Sequence, residues 1–133
     1  MKKRFIILIL PFIIITGISA QSIFFLQEGF ENAYTFPPAG WLSLDVDGDG
    51  YSWQRSPVGA WNTHSGSGCA SSASYNSNNN TVLTPNNYLI TPVISVQSMG
   101  YELKYYVAGQ DNLYSAEHYK VAISTTGVYP SDF

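Results

Sequence analysis

The chain has 133 residues, nine of them acidic and six basic, for a formal net charge of −3 at neutral pH. That length holds one domain and not two. The charge balance argues against a nucleic-acid partner, which needs clustered Lys and Arg to neutralise phosphates, and a single cysteine, Cys69, excludes an internal disulfide.

The N-terminus opens with Lys2, Lys3 and Arg4, continues as an apolar run from Phe5 to Ile15, and ends in Thr16-Gly17-Ile18-Ser19-Ala20. A basic start, an apolar middle and a small-residue end predict a secretory signal peptide over residues 1–20, cleaved after Ala20. A membrane anchor would need roughly 20 apolar residues, and Pro11 interrupts a shorter run here. Gln21 and Ser22 stand where a lipoprotein would carry a cysteine, so a released domain over residues 21–133 is expected. Arg55, Lys104 and Lys120 are then the remaining basic residues against nine acidic ones, a net charge of −6. An exported domain of this size without disulfides calls for another staple, such as a metal. Cys69 is expected to be a small buried apolar residue rather than a reactive thiol.

After residue 20 the chain lacks helical periodicity and is rich in β-branched and aromatic residues, punctuated by Gly, Asn, Ser and Pro. This is the pattern of an all-β sandwich or barrel. Ser22 to Phe25 with Gly29-Phe30-Glu31 predicts a first strand, Phe36-Pro37-Pro38-Ala39-Gly40 a turn, and Trp41 to Leu44 a second strand. Trp41, Leu44 and Trp53 are candidate core residues. Residues 62–80 read as a long loop of small residues, with a short strand at Ala70 to Tyr75 and a flexible tract at Asn76 to Asn80. Tyr88 to Ile94 is an apolar strand whose Pro92 lacks a ladder donor, which favours a bulge or an edge. Glu102 to Ala108 and Tyr119 to Ser124 alternate, predicting two half-buried strands with Leu103, Tyr105, Val107, Tyr119, Val121 and Ile123 inward. The ending Tyr129-Pro130-Ser131-Asp132-Phe133 reads as a turn leading onward, so the domain is expected to be incomplete at its C-terminus.

The sharpest local feature is Asp45-Val46-Asp47-Gly48-Asp49-Gly50. Alternate carboxylates in a tight, glycine-rich loop can converge on a hard cation, and calcium takes six to eight oxygens. The loop begins like an EF-hand, but its twelfth position is Ser56 rather than a bidentate Glu and no helix flanks it. A complete site would recruit distant oxygens, for which Glu28, Glu31, Asp111 and Glu117 are candidates, and Asp111 sits in a second polar loop. The competing reading is an acidic turn whose carboxylates face water.

No arrangement here predicts an enzyme. His64 and His118 have no zinc spacing, and no serine sits in a nucleophile motif. Trp61, set among loop residues, is the candidate ligand-binding aromatic, able to stack on a sugar ring or anchor a protein.

Several segments together carry a family resemblance: Glu28-Gly29-Phe30-Glu31-Asn32, Pro38-Ala39-Gly40-Trp41, the Asp45 to Gly50 loop with Trp53, Ser67-Gly68-Cys69-Ala70-Ser71, Leu83-Thr84-Pro85-Asn86-Asn87-Tyr88-Leu89-Ile90-Thr91-Pro92, Ala108-Gly109-Gln110-Asp111 and Ala116-Glu117-His118-Tyr119. In this order, over about residues 27 to 133, the chain resembles the cleaved adhesin domains, the haemagglutinin/adhesin modules found beside gingipain proteases. A more distant similarity is to the MAM domain. The resemblance implies a jelly-roll β-sandwich that binds calcium and serves in adhesion to host or surface proteins or glycans, at the cell surface or secreted. It carries the ligand role most directly to Asp45, Asp47, Asp49 and Asp111, and less so to Glu31 and Glu117. The alternatives are a carbohydrate-binding module and an accessory domain of a longer exported peptidase or hydrolase.

Overall fold

The structure is a computed structural model that describes residues 25–56, 63–97 and 100–133. The expected signal segment and Trp61 lie outside those residues. Among them the regular structure is all-β apart from one 3₁₀ turn, Pro130–Asp132, and no helix is long and apolar enough to cross a membrane.

Six short strands form three antiparallel pairs: β1 (Leu42–Asp45) with β6 (Asn87–Ile90), β2 (Gln54–Arg55) with β3 (Ala70–Ser71), and β4 (Tyr75–Asn76) with β5 (Thr81–Val82). The longest ladder, β1–β6, aligns Leu42 with Ile90, Ser43 with Leu89, Leu44 with Tyr88 and Asp45 with Asn87. Directly opposed residues share a face, so Leu42, Leu44, Tyr88 and Ile90 make an apolar side, and Ser43, Asp45 and Asn87 a largely polar one. Ile90 is the buried hydrophobic side chain of the described residues. The Phe133 ring leans on Tyr88 at 6.1 Å.

The polar side of this ladder holds the segment that follows the acidic loop. Ser43 Oγ donates to the Trp53 carbonyl at 3.1 Å, Asn87 Nδ2 donates to the Tyr51 carbonyl at 2.6 Å, and Trp53 Nε1 donates to the Asn87 carbonyl at 3.2 Å. Trp41, Leu44 and Trp53, expected in the core, are half-buried. Trp41 packs edge-on against Phe30 at 5.4 Å.

The predicted turn before β1 is present. Trp41 N donates to the Pro38 carbonyl at 3.0 Å, with Gly40 at φ 80°, a left-handed value at the third position that glycine adopts without strain.

Elsewhere the predicted strands are shorter than their patterns. Residues 25–31 form no strand. The β6 ladder stops at Ile90, two residues before Pro92, which has no N–H to continue it. The expected strand at Ala70 to Tyr75 divides into β3 and the start of β4, and the asparagine tract forms the turn joining β4 to β5, with Asn80 at φ 57°. The segments from Glu102 to Ala108 and from Tyr119 to Ser124 make no ladder, and the side chains expected inward are exposed, Leu103 at 65% and Ile123 at 85%. Period two fixes which residues share a face. It does not supply a layer to cover that face, and none of the described strands packs there. Cys69 is free and half-buried, and its carbonyl accepts a hydrogen bond from Ser56 N at 2.9 Å.

Candidate functional site

The acidic loop leaves β1 at Asp45 and folds back through two glycines in left-handed conformation, Gly48 at φ 71° and Gly50 at φ 83°. Asp45 organises the turn: its Oδ1 accepts from Gly48 N at 2.8 Å and its Oδ2 from Gly50 N at 2.9 Å. Asp49 Oδ1 accepts from Tyr51 N at 2.8 Å, and Asp47 Oδ1 accepts from Asn86 N at 3.1 Å, across to the residue before β6. These bonds bring one carboxylate oxygen from each of Asp45, Asp47 and Asp49 within 4.8 Å of one another, with Asp45 half-buried and the other two exposed. Like charges at this spacing repel, while each carboxylate keeps acceptor capacity beyond the bonds named, since two oxygens offer about four lone-pair sites.

Asn87 adds an oxygen that sequence reasoning did not single out. It is the cross-strand partner of Asp45. Its Nδ2 donates to the Tyr51 carbonyl and, at 3.0 Å, to Ser72 Oγ, while its Oδ1 is buried without a hydrogen-bond partner. A buried unpaired amide oxygen costs about 1–3 kcal/mol. It is also a kind of oxygen that calcium accepts. The pairing of Asp45 with Asn87 depends on strand register, which no local motif encodes.

The other candidate carboxylates are engaged away from the loop. Glu31 Oε2 accepts from Ser67 N at 2.7 Å and Ser67 Oγ at 2.8 Å. The Ser67 backbone N–H, then its hydroxyl, then the Gly68 N–H and the Arg55 charge hold the Glu31 carboxyl below its ordinary value of 4.5, against a partial desolvation. Arg55 closes the same cluster, donating from Nε to the Phe30 carbonyl at 2.6 Å and from Nη2 to the Glu31 and Ser67 carbonyls at 3.2 and 3.4 Å. Asp111 Oδ1 accepts from Leu113 N at 2.8 Å within its own turn. Glu117 Oε1 accepts from Ser74 Oγ at 2.6 Å, at the side of a cleft of 470 Å³ lined also by Leu83, Pro85 and His118. Trp61 falls outside the described residues.

The profile of the Cleaved Adhesin Domain family matches residues 23–133. The chain belongs to this family. Among relatives of this cleaved adhesin domain, gingipain R1 and Lys-gingipain of Porphyromonas gingivalis are each 40% identical over 108 residues, covering 81% of this chain and 6% of theirs. Hemagglutinin A of the same organism is 41% identical over 111 residues, covering 81% of this chain and 4% of its own length. The cleaved adhesin domain thus spans a small part of the curated relatives it matches. No solved structure matches it.

Proposed function

We propose that this chain is an exported, non-catalytic adhesin module, a jelly-roll β-sandwich stabilised by calcium, that attaches to host or surface proteins or glycans outside the cell. The single observation that supports the ion most is the convergence of Asp45, Asp47 and Asp49 within 4.8 Å. Membership of the cleaved adhesin family supports attachment. Calcium would take carboxylate oxygens from the three aspartates, relieve their repulsion, and need further oxygens to fill its shell, for which the unpaired Oδ1 of Asn87, the cross-strand partner of Asp45, is a candidate. Glu31, Asp111 and Glu117 remain candidates for further ligands, although their hydrogen bonds to Ser67, Leu113 and Ser74 place each in a separate cluster.

The test is thermal unfolding with calcium and with chelator. A ligand that binds the folded form alone adds about 2.7 kcal/mol at 100 times its dissociation constant, which raises the melting temperature by about 10 °C at this chain length. Asp47→Asn and Asp49→Asn keep the Oδ1 acceptor of the turn and remove one of three mutually repelling charges, so each should shrink the calcium increment while leaving the chelated melt no lower than the parent's. An unchanged melt in calcium sinks the ion.

A second reading, an accessory domain within a longer exported peptidase, is favoured by the relatives' names, which include gingipain R1 and Protease PrtH. A protease domain in the adjoining coding sequence would establish it, and its absence there would remove it.

A further inference from the structure

We infer that the acidic loop holds two latent modification sites, the Asp47-Gly48 and Asp49-Gly50 pairs, and that the Asp45 carboxylate keeps both from isomerising to isoaspartate. They are the only Asp-Gly pairs in the chain, and all four residues are exposed. An aspartate followed by glycine is prone to ring closure, because the next residue has no side chain to hinder the approach of its backbone nitrogen to the carboxyl carbon. Here the surroundings add no hindrance either: a Cβ built on Gly48 or Gly50 would meet nothing within 4 Å. In the reaction the glycine nitrogen attacks Cγ of the aspartate, the N–Cγ bond forms, and the amide proton leaves with the carboxyl hydroxyl as water. Water then opens the cyclic imide. Cleaving the new N–Cγ bond restores aspartate. Cleaving the original bond between that nitrogen and the α-carbonyl carbon gives isoaspartate, whose main chain runs through Cβ and Cγ and is longer by a carbon atom. No oxidant, reductant or cofactor takes part.

The hydrogen bonds place the control at Asp45. The nitrogens that must attack are the ones it binds, Gly48 N donating to its Oδ1 at 2.8 Å and Gly50 N to its Oδ2 at 2.9 Å. An attacking amide nitrogen has to give up its proton, and a carboxylate beside it both holds that proton and opposes the negative charge its loss would leave. Asp45 is itself fixed, as the last residue of β1 and the ladder partner of Asn87. The carboxyls under attack are tethered as well, Asp47 Oδ1 by Asn86 N at 3.1 Å and Asp49 Oδ1 by Tyr51 N at 2.8 Å. Those tethers differ between the two sites, whereas Asp45 is common to both. Conversion at either site would lengthen a turn that two left-handed glycines fold back and would move one of the three converging carboxylates. The β1–β6 ladder therefore guards the covalent integrity of the loop that leaves it.

The full chain is incubated at neutral pH and physiological temperature in chelator, which keeps the outcome independent of calcium. Isoaspartate is counted by enzymatic methylation and located by peptide mapping. A parallel incubation in urea gives the rate for the same sequence with its hydrogen bonds released. The folded parent is expected to accumulate isoaspartate at residues 47 and 49 several-fold more slowly than the urea sample. Asp45→Ala removes both acceptors and should accelerate each site about fivefold. Asp45→Asn, with one acceptor oxygen for two amides, should fall between the parent and Asp45→Ala. Should Asp45→Ala unfold, its rate will match that of the urea sample, and Asp45→Asn then carries the test. A folded parent that reacts as fast as the urea sample overturns the inference, and so does a folded Asp45 variant that reacts no faster than the parent.

Discussion

Replacing Arg55 by methionine measures what holds the N-terminal segment onto the rest of the domain. Arg55 donates to the Phe30 carbonyl at 2.6 Å and the Ser56 carbonyl at 3.2 Å, both part-buried, and to the Glu31 and Ser67 carbonyls, both exposed. Hydrogen bonds from charged donors contribute about 1.5–3 kcal/mol each when buried. Partial exposure reduces the first two to about 1 kcal/mol apiece and the exposed pair to little. Methionine keeps most of the apolar stem, so the loss is that of the guanidinium fork, about 2 kcal/mol, equivalent to a fall of about 8 °C in melting temperature. Arg55→Lys keeps the charge without the planar fork and should recover less than half of the loss. Tryptophan fluorescence is a suitable probe, because Trp41 packs on Phe30, whose carbonyl Arg55 binds. The reasoning fails if Arg55→Met melts within about 1 °C of the parent or if lysine restores it fully.

Four further outcomes follow from this cluster and from the acidic loop. The Glu31 carboxyl is held below 4.5 in the folded state, so its contribution is present above the unfolded value and is lost as pH falls through the folded one; Glu31→Gln should remove that acid-limb loss from a series of melts below about pH 4.5. Gly68→Ala would place a Cβ against the Phe30 carbonyl and within 2.7 Å of the Arg55 guanidinium, a clash expected to cost about 2 kcal/mol or more in denaturant unfolding. Gly48→Ala, strained at φ 71° but with open space around it, should cost about 1 kcal/mol. Asp45→Asn leaves one acceptor oxygen for the Gly48 and Gly50 amides and should lower stability by about 1 kcal/mol even in chelator, unlike Asp47→Asn.

The parts of the molecule legible from the sequence were those set by local chemistry. The turn ending at Gly40, the all-β character and the convergence of Asp45, Asp47 and Asp49 each depend on residues a few positions apart. Contacts made across long separations were not legible. Asn87 faces Asp45 because of the β1–β6 register, and Arg55 reaches Phe30 across 25 positions. The alternation at Leu103, Tyr105 and Val107 announced a face, but burial belongs to whatever packs on that face, and sequence period does not contain it. Pro92 pointed to a bulge or an edge within a strand reaching Ile94, without indicating that the ladder ends at Ile90.

The pairing of β1 with β6 carries a consequence for the order in which the chain can fold. Asp45 and Asn87 close a loop of about forty residues, an entropic cost of about 3 kcal/mol beyond a constant. The β2–β3 and β4–β5 ladders lie inside that loop, so each one that forms first shortens the tether the outer pair must close. On a chain that emerges N-terminus first, β1 precedes its partner by the whole of that loop. During that interval Leu42 and Leu44 have no strand beside them, and the nested pairs decide how soon the wait ends.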